Sequence, residues 1–156
     1  MYSFYINGED VKKFMNLFLK DDKFDKFEVR SCDITTFVEY SIDCLLNKSW
    51  FDEAPQRDYC LWSELRPYIF GLIKGKKKPK SMKFVMALSH KAAAKIHPNA
   101  LACFINITFE EDKITVITGT AQKEFSLDKS LELNWGDRIR NFFDNMNIVQ
   151  HIDSEG

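Results

Sequence analysis

Residues 101–127 read LACFINITFEEDKITVITGTAQKEFSL, and this stretch decides the fold class. Ile105, Ile107 and Phe109 alternate with polar neighbours up to an acidic turn at Glu110, Glu111 and Asp112. Ile114, Val116 and Thr118 follow, then Gly119, then Phe125 and Leu127. Alternation with a β-branched and aromatic bias predicts strand, turn, strand, a break at Gly119, and a further strand over 123–127.

Working outward, residues 2–6 predict a first strand, with Asn7 as the cap of the helix that follows. Val11, Phe14, Met15, Phe18 and Leu19 form a helical stripe, with Lys12, Lys13, Asn16 and Lys20 opposite. Residues 26–32 and the longer run 34–46 read as strands, and the polar segment 52–58 as a loop. After a brief strand at 59–61, Ser63 caps a second helix with Leu65, Ile69, Leu72 and Ile73 on its apolar side. Pro67 then falls early in that helix, where a missing N–H costs little, and Gly75 ends it. Residues 82–88 read as a strand. Ser89 caps a short helix closed by Pro98. Asp128 caps a terminal helix carrying Leu131, Trp135, Ile139, Phe142, Phe143 and Met146.

The order predicts an α+β protein: a mainly antiparallel sheet with helices packed on one face, laid out as two βαβββ-like passes plus a C-terminal helix. A chain of 156 residues with 45% hydrophobic and 29% charged residues fits one domain over 1–148, followed by a polar, fraying tail at 149–156. The 14 phenylalanines predict a Phe-packed core.

A net charge of -1 argues against a generic nucleic-acid-coating protein but leaves room for a local basic patch. No run reaches the length of a membrane span, and residues 1–6 lack the features of a secretory signal. Cys32, Cys44, Cys60 and Cys103 show no C-x-x-C spacing, so a cytoplasmic chain with free, largely buried thiols is expected.

Two resemblances can be stated. The segments DVKKFMNLFL (10–19), DITTF (33–37), YSID (40–43), LWSELRPYIFGLIKGKKKP (61–79) and ITVITGTAQKEFSLDKSLE (114–132) resemble an uncharacterised family from clostridia and related Firmicutes, a domain of unknown function. That resemblance implies no activity. The two-pass plan and the segment EEDKITVITGTAQKEFSL (110–127) are similar to a domain of the DNA sliding clamp. This implies the fold alone: the helix after Ser89, an extra strand and the terminal helix depart from the clamp pattern, and a clamp ring needs several such domains.

The conspicuous local feature is the lysine run Lys74, Lys76, Lys77, Lys78, Lys80 and Lys83. Six lysines in ten residues set up a positive field suited to phosphates, and equally suit a solvated loop after a helix end. The run lacks the pattern of a phosphate-cradling P-loop. His90, His97 and His151 have no companions at metal-ligand spacing, so no metal and no cofactor are expected. Asp33 with Asp43, and the acidic turn at 110–112, are the available acid–base candidates, without an anchored partner. Neither a G-x-S-x-G motif nor a cysteine beside a histidine is present. Trp62, Arg66 and Tyr68 at a helix start suit either a hydrophobic staple or a protein interface.

These features rank a non-enzymatic binding or structural module first, contacting nucleic acid through the lysine loop. A protein-interaction subunit, pairing with a copy of itself or with another protein through an edge strand at 123–127 or the terminal helix, stays open. So does a small enzyme whose site is not visible in sequence.

Overall fold

The computed structural model describes residues 1–75 and 77–152. Its elements are β1 (Ser3–Ile6), α1 (Glu9–Lys20), β2 (Glu28–Thr35), β3 (Glu39–Ile42), α2 (Trp62–Ile73), β4 (Ser81–Ala87), α3 (His90–Ile96), β5 (Ala100–Glu110), β6 (Lys113–Gln122) and α4 (Ser130–Asn145). One six-stranded sheet runs in the order β1-β6-β5-β4-β2-β3, and every neighbouring pair is antiparallel. With four helices, this is the α+β class that the sequence predicts, terminal helix included. No helix among the described residues is long and apolar enough to cross a membrane.

The β5–β6 hairpin is the spine. Its turn residues Glu111 and Asp112 have φ of 52° and 59°, the two left-handed positions of a tight turn whose twist suits the strands. Period two then sorts the side chains: Phe109 faces Ile114 and Ile107 faces Val116 on the buried side, while Thr108 faces Thr115 and Asn106 faces Ile117 on the other. The buried side meets the helices through aromatic rings. Phe14 and Phe18 of α1, Trp62 of α2, Phe84 of β4, Phe143 of α4 and the loop residue Phe24 are all 0–1% exposed. Phe18 stacks on Trp62 at 4.3 Å between ring centroids, and the Trp62 Nε1–H donates to the Phe18 carbonyl at 2.8 Å. The abundance of Phe is therefore a core property. The opposite sheet face carries residues such as Tyr5, Thr108, Lys83, Asp33 and Ser41, all half or fully exposed.

Several boundaries differ from the expected ones. The run 34–46 is not one strand: β2 continues through Asp33 to Thr35, residues 36–38 turn, and β3 returns. Between β3 and α2 the chain makes isolated bridges in place of a strand, Leu45 with Tyr59 within the segment and Leu61 with Glu28 of β2, so the first pass is βαββ and the second αβαββ among the described residues. Gly119 is no break. It pairs with Phe104 inside an unbroken β6, and the irregularity falls across from it, between Ala100 and Ala102. Residues 123–127 are a loop rather than a strand. After the Lys123 N–H bonds the Asn99 carbonyl, side chains replace the ladder: the Asn99 amide bonds both the N–H and the carbonyl of Glu124, and the Gln122 amide does the same for Ser126.

Helix starts also shift. Gly8, with φ of 62°, precedes α1 in place of Asn7. Helix α2 begins at Trp62, where Glu64 reaches back to the Leu61 N–H at 2.8 Å, so Pro67 lies inside the helix rather than in its first turn. Asp128 lies just before α4 and accepts from the Ser130 N–H at 2.9 Å, while Ser89 caps α3 through the Ala92 N–H as expected. Beyond α4, His151 exchanges both main-chain bonds with Tyr5 of β1 and stacks on its ring, so the chain is held as far as His151, and residues 153–156 lie outside the described residues.

Candidate functional site

The lysine run emerges from the end of α2. Lys74 ends the helix with its N–H on the Phe70 carbonyl, and Gly75 takes φ of 145°, a conformation side chains rarely adopt. The Lys80 N–H bonds the Thr35 carbonyl, and β4 begins at Ser81. Lys74, Lys77, Lys78, Lys80 and Lys83 are all exposed, while Lys76 lies outside the described residues. They do not form one strip. Lys83 stands on the open sheet face between Asp33 and Thr108. Lys78 instead leans over the end of the hairpin and pairs with Asp112 at 2.9 Å.

Beneath Lys78 lies a cavity of about 510 Å³. Its floor is Val11 and Met15 of α1, Pro79, Met82 of β4 and Phe109 of β5. Lys12, Lys78 and Asp112 stand around it, with Gly8 at one end. The α1 stripe explains the apolar floor: Phe14, Phe18 and Leu19 are buried in the core, whereas Val11 and Met15 stay half-exposed. The cavity is thus an apolar recess with two cations and one carboxylate around it, inside the size range of ligand pockets. Of the basic residues outside the run, Lys12 joins the recess. Lys13 instead donates to the Asn147 carbonyl at 2.7 Å, and Arg66 forms a two-pronged pair with Asp25, both contacts at 2.9 Å.

The profile of a family of unknown function, DUF5721, matches residues 17–150. The chain belongs to this family. No curated protein and no solved structure matches it. The DUF5721 match takes in Lys78, Pro79, Met82, Phe109 and Asp112, while the α1 side of the cavity up to Met15 precedes it.

A second recess of about 730 Å³ opens beside β2 and β3, lined by Arg30, Asp33, Ser41, Asp43 and Tyr59 among others. Sequence reading singled out Asp33 and Asp43, and the fold brings them to one cleft. Asp33 accepts from the Ser41 hydroxyl at 2.7 Å and Asp43 from the Leu45 N–H at 3.1 Å. Arg30 was missed. The ladder shifts register between Val29 and Ser31, so Arg30 is the extra residue of a bulge, a device that re-aims a side chain. Its guanidinium lies 4.4 Å from the Tyr59 ring and 5.6 Å from that of Phe104. Its Nη2 contacts the buried Glu28 carboxylate at 3.3 Å, and its Nε is buried without a partner.

The histidines do not converge. His90 is exposed, His97 bonds the Ser130 hydroxyl and the Asn99 N–H, and His151 pairs with Tyr5 of β1. Among the described residues, no group of three or more His, Cys, Asp or Glu is placed to hold a metal. All four cysteines are free. Cys44 and Cys60 face each other, the Cys60 N–H bonding the Cys44 carbonyl at 3.0 Å. The Cys44 thiol proton has two acceptors, the Ile42 carbonyl at 3.5 Å and the Cys60 sulfur. Sharing with Cys60 lowers the Cys60 pKa and, with burial, raises that of Cys44. Trp62 is a core residue rather than a surface staple, and Tyr68 alone of its group is freely exposed, at 74%.

Proposed function

We propose that this DUF5721 protein is a non-enzymatic, cytoplasmic binding module of clamp-like plan whose working surface is the recess beneath Lys78. Its partner is a protein segment that presents an apolar side chain beside an acidic one. The observation that carries this reading is the pairing of an apolar floor, Val11, Met15, Pro79, Met82 and Phe109, with Lys12 and Lys78 around it. An apolar side chain entering the recess gains burial, and a neighbouring carboxylate gains charge-assisted hydrogen bonds. Free cysteines support the cytoplasmic setting, and α1 lying beside α2 over one sheet supports the clamp-like plan.

Nucleic acid is the competing partner for the lysine loop. Lys83, standing on the open sheet face away from the recess, weighs against a continuous track for phosphates. Fluorescence anisotropy tests the choice. The probes are a fluorescein-labelled decapeptide with a Phe-x-Leu core flanked by glutamates, and labelled single- and double-stranded DNA of mixed sequence. The peptide should bind, and the Lys12→Glu/Lys78→Glu variant should lose about tenfold or more in affinity. DNA binding with a steep salt dependence, and no peptide binding, would overturn the protein reading.

A further inference from the structure

We infer that the natural occupant of the recess is the loop at residues 123–129 of a second copy of this chain, so that the protein associates head to tail. This rests on the recess being a protein-binding site, as proposed above.

The loop presents Phe125 and Leu127 at 87% and 82% exposure. Large apolar side chains displayed side by side in this way mark an interaction site. Nor is the display slack. The Asn99 amide bonds both backbone groups of Glu124, and the Gln122 amide bonds both of Ser126, so the residues flanking Phe125 are tied on both sides. The Ser126 hydroxyl accepts from the Asp128 N–H, and Asp128 from the Ser130 N–H. A loop fixed in one conformation loses little further entropy on docking.

Charge matches as well. Glu124 and Asp128 flank the two apolar side chains, and Lys123 and Lys129 lie one residue further out. The recess offers Lys12 and Lys78 to the first pair and Asp112 to the second.

The loop cannot fill its own molecule's recess. It leaves the sheet where Ala100 pairs with Gln122, whereas the recess lies at the Phe109 and Asp112 end of the same hairpin. The 11 residues of β5 hold these ends roughly 35 Å apart. Ligand and receptor at opposite ends of one rigid hairpin make a heterologous contact, in which each copy offers its loop to the next.

Complementation tests this, read by sedimentation velocity over a micromolar-to-millimolar concentration series of the full chain. Wild type should grow in mass with concentration. Phe125→Ser/Leu127→Ser, which removes the displayed side chains, and Lys12→Glu/Lys78→Glu, which reverses the recess charges, should each associate about tenfold or more weakly. All four positions are exposed, so neither variant disturbs the core. Mixed together, the two variants retain one good loop and one good recess, and should form a dimer that grows no further. A wild type that stays monomeric while binding the labelled decapeptide would overturn the second-copy occupant and leave the recess reading intact. Association that survives Lys12→Glu/Lys78→Glu, or a mixture without a heterodimer, would overturn the pairing of loop with recess.

Discussion

Arg30 brings one guanidinium against a buried carboxylate and two aromatic rings. Glu28 is 6% exposed, and Arg30 is its cationic partner in the fold. Removing one member of such a pair leaves an uncompensated charge, whereas replacing both with apolar or neutral groups of similar shape removes the charge altogether. Arg30→Ala is therefore expected to destabilise by about 3 kcal/mol, the low end of the range for buried pairs, because 21% of the Arg30 side chain keeps contact with water. The double variant Glu28→Gln/Arg30→Met should cost about 1 kcal/mol or less. Urea midpoints of Arg30→Ala and of the double variant make the comparison. Equal losses for Arg30→Ala and the double variant would mean that the charge pairing contributes nothing. None of this was legible in the sequence. Arg30 looks like an ordinary charged position of an alternating strand until the ladder slips by one residue and turns it over Tyr59.

Helix α2 shows how an element can be read correctly and placed wrongly. Its stripe of Leu65, Ile69, Leu72 and Ile73 predicted a helix, but Ser63 looked like the better cap. The buried Trp62 displaced that cap, because its indole stacks on Phe18 and its N–H reaches the end of α1. Tertiary packing thus moved the helix start upstream and drew Pro67 inside. There the proline cannot donate to the Ser63 carbonyl, and its ring crowds that turn. A helix-interior proline costs about 3 kcal/mol, while its stiffening of the unfolded chain returns up to about 1 kcal/mol. Pro67→Ala at this exposed position should therefore stabilise the protein by about 2 kcal/mol, raising Tm by about 5 °C. Thermal unfolding followed by circular dichroism measures it, and a lower Tm would show that the proline is favourable where it stands. The loop at 123–129 taught the same lesson in reverse. Its alternation reads as a strand, yet the Asn99 and Gln122 amides take the backbone groups that a ladder would have used, and no local pattern announces that.

For the whole molecule, the class of fold was legible because it rests on local periodicity: period two in β4, β5 and β6, and helical stripes in α1 and α4. The recess was not, because Val11 and Met15 belong to the same stripe as the core phenylalanines, and only the position of Pro79 and Lys78 leaves them uncovered. The same burial that makes one continuous core sets the protein's response to alkali. Burial pushes the Cys32 thiol up to about 12 and the Cys103 thiol up to about 11, and Cys44 is raised too, by its bond to Cys60 and by burial. The unfolded chain releases these protons near pH 9, while the folded chain holds them. Between those values the native state binds more protons than the unfolded state, so stability falls as pH rises. Below pH 9 the contribution is full and flat. Above it, each buried thiol costs up to about 1.4 kcal/mol per pH unit until its folded pKa is reached. Cys32 and Cys103 together should remove about 2–3 kcal/mol by pH 10, a large share of a typical domain's 5–15 kcal/mol. Urea unfolding at pH 7.5, 9 and 10 should show midpoints level to pH 9 and falling after it. The Cys32→Ala/Cys103→Ala variant, though less stable at pH 7.5, should lose markedly less between pH 9 and 10 than wild type. Parallel losses in the two proteins would assign the alkaline sensitivity to other groups, such as Cys44 or Tyr2, and not to Cys32 and Cys103.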